Sequence, residues 1–197
     1  MTSDEAELAR LAGLSFSHPN GFDRLVIASD PDSGARLRVH VWWNDDRTTG
    51  AGHIHNHPWT FASRILAGRL HVETYHASRE NSATRDGDHL MFGCPGPVES
   101  RTSYRWSYVA NGPVRLESCA ELSLPTGSQY MLDFRVFHRV VADRAGPTVS
   151  AVVHESYRQL ETKVVVDASV DLTEHVVAKF TCDEFKDRLG RVVELTA

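Results

Sequence analysis

Apolar positions change their spacing twice along the chain. Between Asp4 and Leu14 they recur as Leu8, Leu11 and Leu14 behind Ser3 as a cap, which predicts a short helix. Asn20-Gly21 marks a turn. From Leu25 to about Val165 the period falls to two, in short runs rich in Val, Leu, Tyr, Trp and Thr. The predicted strands are Arg36–Trp43, Thr60–Leu66, Arg69–His76, Ser103–Val109, Val114–Leu122, Ser128–Leu132, His138–Val141 and Thr148–Tyr157. Turn residues such as Ala67-Gly68 and Pro125-Thr126-Gly127 separate them, and the polar stretch Ala77–Pro97 reads as a long loop. From Cys182 to Leu195 helical spacing returns, with Phe185, Leu189, Val192 and Val193 on one face and Thr181 as cap. With no repeat and no linker, residues 1–197 form one all-β domain. Its barrel core runs roughly 25–165 and its helical tail roughly 172–195. Sandwich, barrel and jelly roll all satisfy the pattern.

Alternation also sorts polar side chains onto shared faces. Arg36, Arg38, His40 and Trp42 oppose Leu37, Val39 and Val41, and His71, Glu73 and Tyr75 share a face in the same way. Such a face usually meets solvent. At the mouth of a barrel it would instead meet a ligand, with Arg38 clamping a carboxylate. Tyr75, Tyr130 and Arg135 are further candidates for substrate contact. Trp59, Phe61 and Trp106 would supply an apolar wall.

Composition narrows the partners. Apolar residues make up 41% and charged residues 24%, and the net charge of −5 argues against nucleic-acid or anionic-membrane binding. No apolar run is long enough to cross a bilayer, and the acidic N-terminus lacks a signal-peptide pattern, so a cytoplasmic protein is expected. The three cysteines, Cys94, Cys119 and Cys182, are far apart and read as small buried hydrophobes.

The eleven histidines carry the chemistry. In Gly52-His53-Ile54-His55-Asn56-His57, residues two apart on a strand face one side. A His-x-His pair joined by a third imidazole from a neighbouring strand makes a facial metal set with open positions for substrate and oxygen.

This segment resembles the first motif of the cupin family, Gly-x5-His-x-His-x3,4-Glu-x6-Gly. Aligned on Gly68, the histidines are His55 and His57, and Phe61 stands at the glutamate. The second motif, Gly-x5-Pro-x-Gly-x2-His-x3-Asn, aligned on Gly127, places His138 at its metal histidine. Asp133, Arg135 and Ala142 then replace its proline, second glycine and asparagine. The resemblance implies a double-stranded β-helix, or jelly-roll barrel, with a metal on His55, His57 and His138 and with His53 in support. Loss of the glutamate resembles the three-histidine thiol dioxygenases, which use Fe(II). Mn, Ni, Co and Zn stay open. Those enzymes also carry a Ser-x-His-x-Tyr relay, for which His154 matches and Tyr157 stands one residue late, so both are candidate acid–base residues. The implied function is an Fe(II) oxygenase acting on a small polar metabolite, such as a thiol or amino acid, with O2. The alternatives are a metal-dependent lyase or isomerase and a non-enzymatic ligand-binding protein. Open sheet edges make a homodimer a further expectation.

Overall fold

The computed structural model describes residues 2–45, 52–79, 89–156 and 161–197. Helix α1 (Ser3–Gly13) leads into β1 (Phe16–His18), β2 (Phe22–Ser29), β3 (Arg36–Trp42), β4 (Ile54–His55), β5 (Phe61–Ala67) and β6 (Arg69–Arg79). There follow β7 (His89–Cys94), β8 (Val98–Glu99), β9 (Ser103–Ser107), β10 (Val109–Pro125), β11 (Gln129–Leu132) and β12 (Phe137–Ala142). Strands β13 (Thr148–His154), β14 (Thr162–Asp167) and β15 (Glu174–Ala178) precede helix α2 (Cys182–Thr196).

The pairings are nested. Strand β6 pairs with β10, β5 with β11, β4 with β12 and β3 with β13, all antiparallel. Successive pairs fall alternately in two sheets, so the chain runs as a folded hairpin wound into a double-stranded β-helix, which is the jelly roll. One sheet has the order β1-β2-β3-β13-β5-β11. The other closes on itself as β10-β6-β12-β4-β14-β7.

Closure gives the second sheet an interior of its own. Ile54, Met91, Val114 and Val165 are buried there with Tyr75 and Phe137, one or more side chains from each of the six strands. Their sequence neighbours His55, Val164 and His138 point the other way, into the space between ring and open sheet. That space also holds Trp42, Trp59, Phe61, Ile65 and Val152. The back of the open sheet (Leu25, Val39, Val41, Val149) is covered by Phe185 and Val192 of α2 and Ala12 of α1.

Both helices begin with a reciprocal capping box, Thr2 with Glu5 and Thr181 with Glu184. The first cap is therefore Thr2 and not Ser3, because Ser3 already sits in the helix. In α2, Val193 is 60% exposed, so the buried stripe is narrower than its spacing predicts. The stretch predicted as a loop contains the end of β6 and all of β7. Its segment Met91–Cys94 is buried on both faces, so no alternation marks it. The tail expected to be helical from about 172 begins with β15, and its helix starts only at Cys182. Cys94 is buried, but Cys119 is exposed and Cys182 only half-buried.

Two motif glycines have a backbone reason. Gly68 and Gly127 both adopt positive φ, +76° and +88°. At Gly68 a Cβ would also lie 2.5 Å from the Pro147 carbonyl oxygen, so the turn between β5 and β6 admits no side chain.

Candidate metal centre

His55, His57 and His138 converge, with one ring nitrogen from each lying within 4.8 Å of the others. Strand β4 lies between β12 and β14, and its last residue, His55, sits directly opposite His138. His57 lies just beyond the strand. Between the two, the Asn56 amide oxygen accepts the Lys163 N–H at 2.7 Å and the Asn56 N–H reaches the Lys163 carbonyl at 3.1 Å. Asn56 thus extends the strand's pairing by one residue, and His57 stays on the side of His55.

Two of the rings have fixed tautomers. His55 Nδ1 donates to the His53 carbonyl at 2.7 Å, and His138 Nδ1 to the Val136 carbonyl at 3.2 Å. Each Nε2 is therefore left as the lone-pair donor. Burial, reinforced by the neighbouring imidazoles, lowers the pKa of all three, that of His138 to about 3. Neutral imidazoles with one nitrogen pinned are the form in which histidine binds a transition metal. Among the described residues no carboxylate or thiol joins the three. Phe61 stands edge-on to His57 at 5.2 Å. The donor set fits a divalent metal held by three neutral nitrogens with open positions.

The site opens into a cavity of about 570 Å³ between the two sheets. Arg38, Phe61, Tyr130 and His53 line it, as does Trp106. Burial pushes the Tyr130 phenol up to about 12, so it stays protonated at neutral pH. His53 reaches the triad through its carbonyl. Tyr75 and Arg135 lie elsewhere. Tyr75 points into the closed ring and hydrogen-bonds Glu73, because its strand parity is opposite to that of Val72 and Thr74. Arg135 is 76% exposed and pairs with Asp133 at 2.7 Å on the surface. Tyr157 lies outside the described residues. Sequence reasoning did not assign Arg24, His18 or Phe22 to the site, although all three line the cavity, as does His40 of the β3 face. The alternation of Phe22 and Arg24 across β2 was the available signal.

His154 is 2% exposed and does not line the cavity. Its Nε2 accepts from Arg38 Nη2 at 2.6 Å and its Nδ1 donates to the Glu155 carbonyl at 2.8 Å. Its ring stacks on Trp59 at 4.4 Å, and Trp59 stacks in turn on His57 at 4.1 Å. The Arg38 guanidinium lies 4.8 Å from the Trp59 ring. His154 thus fixes the orientation of Arg38, with both nitrogens engaged in doing so.

Burial first, then Arg38, Arg36 and Arg24, lowers the His154 pKa to about 3. Its folded value therefore lies below the unfolded value of about 6.5. Below pH 6.5 the unfolded chain takes up a proton that the native protein refuses, so stability falls with pH through that window down to about 3. This residue alone is expected to remove about 3 kcal/mol between pH 7 and about pH 4.5. Urea unfolding at both pH values, for wild type and His154→Gln, should show a shallower pH dependence in the variant. Equal dependence would rule out a neutral His154.

Fold and site together define a jelly-roll protein with a three-histidine pocket between its sheets. No protein-family model matches the sequence, and no curated protein matches it. Among solved structures, hydroxypropylphosphonic acid epoxidase from S. wedmorenis is similar at 14% identity and a TM-score of 0.43, over 71% of this chain and 53% of that one. The chain thus spans about half the length of the epoxidase. Hydroquinone 1,2-dioxygenase from Sphingomonas sp. TTNP3 is similar at 14% identity and a TM-score of 0.40, over 71% and 68%. Likeness of this extent carries no reaction, substrate or metal to this chain. Among the described residues no helix is long and apolar enough to cross a membrane.

Proposed function

We propose that the chain is an enzyme that binds one divalent transition metal, Fe(II) foremost, on His55, His57 and His138, and uses it with O2 on a small polar metabolite. The observation that supports this reading is the convergence of three neutral imidazoles, His138 buried and His55 and His57 half-buried, within 4.8 Å in the wall of a large cavity. A metal bound there would supply Lewis acidity and, if iron, redox reactivity toward oxygen. The chain's own residues do the rest. The carbonyls of residues 53 and 136 hold two imidazoles in their ligating tautomer. Trp59 and Phe61 present apolar rings to His57. Arg38, braced by His154, faces the substrate, and the Tyr130 O–H is available as a proton donor.

The test is metal content of protein purified without added metal, followed by oxygen uptake after anaerobic Fe(II) loading. About one iron per chain with metabolite-dependent oxygen uptake is the expected result. Stoichiometric metal without oxygen uptake over a broad panel would replace oxygenation by metal-dependent lyase or isomerase chemistry. Protein that neither retains nor takes up metal would leave only ligand binding.

A further inference from the structure

The wall facing the histidine triad combines positive charge with flat rings. Residues of β2 and β3 alternate so that Phe22, Arg24, Arg36, Arg38, His40 and Trp42 all line the cavity, with Arg24 directly opposite His40. The guanidinium carbons of Arg24 and Arg38 lie over the rings of Phe16 and Trp59, at 4.2 and 4.8 Å, which restricts both before any ligand arrives. Among the described lining residues the one carboxylate is Glu99, which Lys179 holds at 2.5 Å. Two buried nitrogens on this wall, His40 Nε2 and Arg36 Nε, have no hydrogen-bond partner among the described residues. A buried polar atom without a partner is costly, and a ligand oxygen would relieve it.

Beside the arginines the rings are nearly continuous. Phe22 stacks on His18 at 4.5 Å and 9° between planes, and meets His40 at 4.6 Å and Trp42 at 5.0 Å. Trp106, on the small sheet β15-β9-β8 outside the jelly roll, faces His18 and Phe16 at 6.5 and 5.3 Å. About 570 Å³ is far more room than a three-carbon metabolite fills and suits a ligand with a ring.

We infer that the cavity takes a flat aromatic anion, its carboxylate or phosphonate group on Arg24, Arg38 and His40 and its ring against Phe22, Trp42 and Trp106. Charge-assisted bonds fix the anionic end, and the opposite end of the ring is left toward His55, His57 and His138. This names the substrate class for the site proposed above and rests on that reading for the reaction alone. Binding itself needs no metal.

The test is calorimetric titration of metal-free protein with benzoate, phenylphosphonate, benzamide and acetate. At least one of the two aromatic anions is expected to bind tenfold or more tightly than both benzamide and acetate. The preferred anion identifies the head group. Arg24→Gln and Arg38→Gln should each weaken that anion tenfold or more without affecting benzamide, and Trp106→Ala should weaken it with either head group. Circular dichroism shows whether the variants are folded, and the wild-type comparison stands without them. Benzamide binding as tightly as both anions, acetate binding as tightly as both, or no binding by either anion overturns the inference. His138→Ala separates the two readings. Retained probe binding with lost metal leaves both intact, and probe binding by a wild type that takes up no metal fails only the metal.

Discussion

His138→Ala is expected to weaken metal binding at least 100-fold, measured by competition with a chromogenic chelator. Replacing a residue that merely orients a ligand typically costs 10- to 100-fold, and His138 is itself a proposed ligand. It is also the most enclosed of the three, 2% exposed, with its Nδ1 already committed to the Val136 carbonyl. Its Nε2 therefore has the triad as its outlet. His53→Ala is the matched control. The contact to His55 Nδ1 comes from the main-chain carbonyl of residue 53, which survives the substitution. That variant should lose less than about tenfold, well short of the cost of a ligand. Equal losses in the two variants would mean that the metal is held by another combination of histidines. No loss in His138→Ala would remove the proposed centre.

The largest effect on stability is expected at Asp23, which is 1% exposed. Its carboxylate accepts from Ser17 Oγ at 2.6 Å, Trp43 Nε1 at 2.5 Å and Arg188 Nε at 2.9 Å. It thereby ties Ser17 of β1, Trp43 just past β3 and Arg188 of α2 to β2. Asp23→Ala leaves a buried indole N–H and a largely buried guanidinium without this acceptor. The expected cost is about 3–5 kcal/mol, read from urea unfolding at neutral pH. Asp23→Asn keeps one oxygen and should cost less. Arg188→Met removes the other charge while keeping its packing over Phe180, 4.2 Å from guanidinium to ring, and should also be milder. If Asp23→Asn unfolds no more readily than wild type, the charge of the carboxylate contributes nothing.

Much of this architecture is legible along the chain because it depends on local rules. Reciprocal hydrogen bonds between a threonine and the glutamate three residues later start both helices. The second cap is legible at Thr181, whereas the first lies at Thr2, one residue before the Ser3 that the spacing suggests. Alternation over Arg36–Trp42 and Thr148–His154 corresponds to β3 and β13, and Gly68 and Gly127 occupy turns that need positive φ. The spacing of His55 and His57, with His138 at the second motif, already contained the three-histidine cluster.

Other features have no local signature. Parity states which residues share a face, but it does not state whether that face meets water or a second sheet. The face of Arg36, Arg38, His40 and Trp42 reads as solvent-exposed or as the mouth of a barrel, and it forms the inner wall of the cavity because the closed ring packs against it. Tyr75 and Tyr130 look equivalent in sequence. Ring closure sends one into a separate interior and leaves the other beside Phe61. Strand β7 is invisible because both of its faces are buried. His154 reads from sequence as a candidate acid or base or as a satisfied core histidine, and only the approach of Arg38 from a neighbouring strand engages its second nitrogen.

By itself, then, the sequence determined what short-range sterics and spacing control: the capped helices, the strand periods, the glycine turns and the convergence of histidines two apart. Tertiary structure decided what depends on pairings between distant segments. Those were the closure of one sheet into a ring, the burial of the arginine and aromatic wall opposite the triad, and the use of His154 to brace Arg38. A contact between residues 116 positions apart, such as Arg38 with His154, exists only once the sheet has formed, because no local energy term favours it.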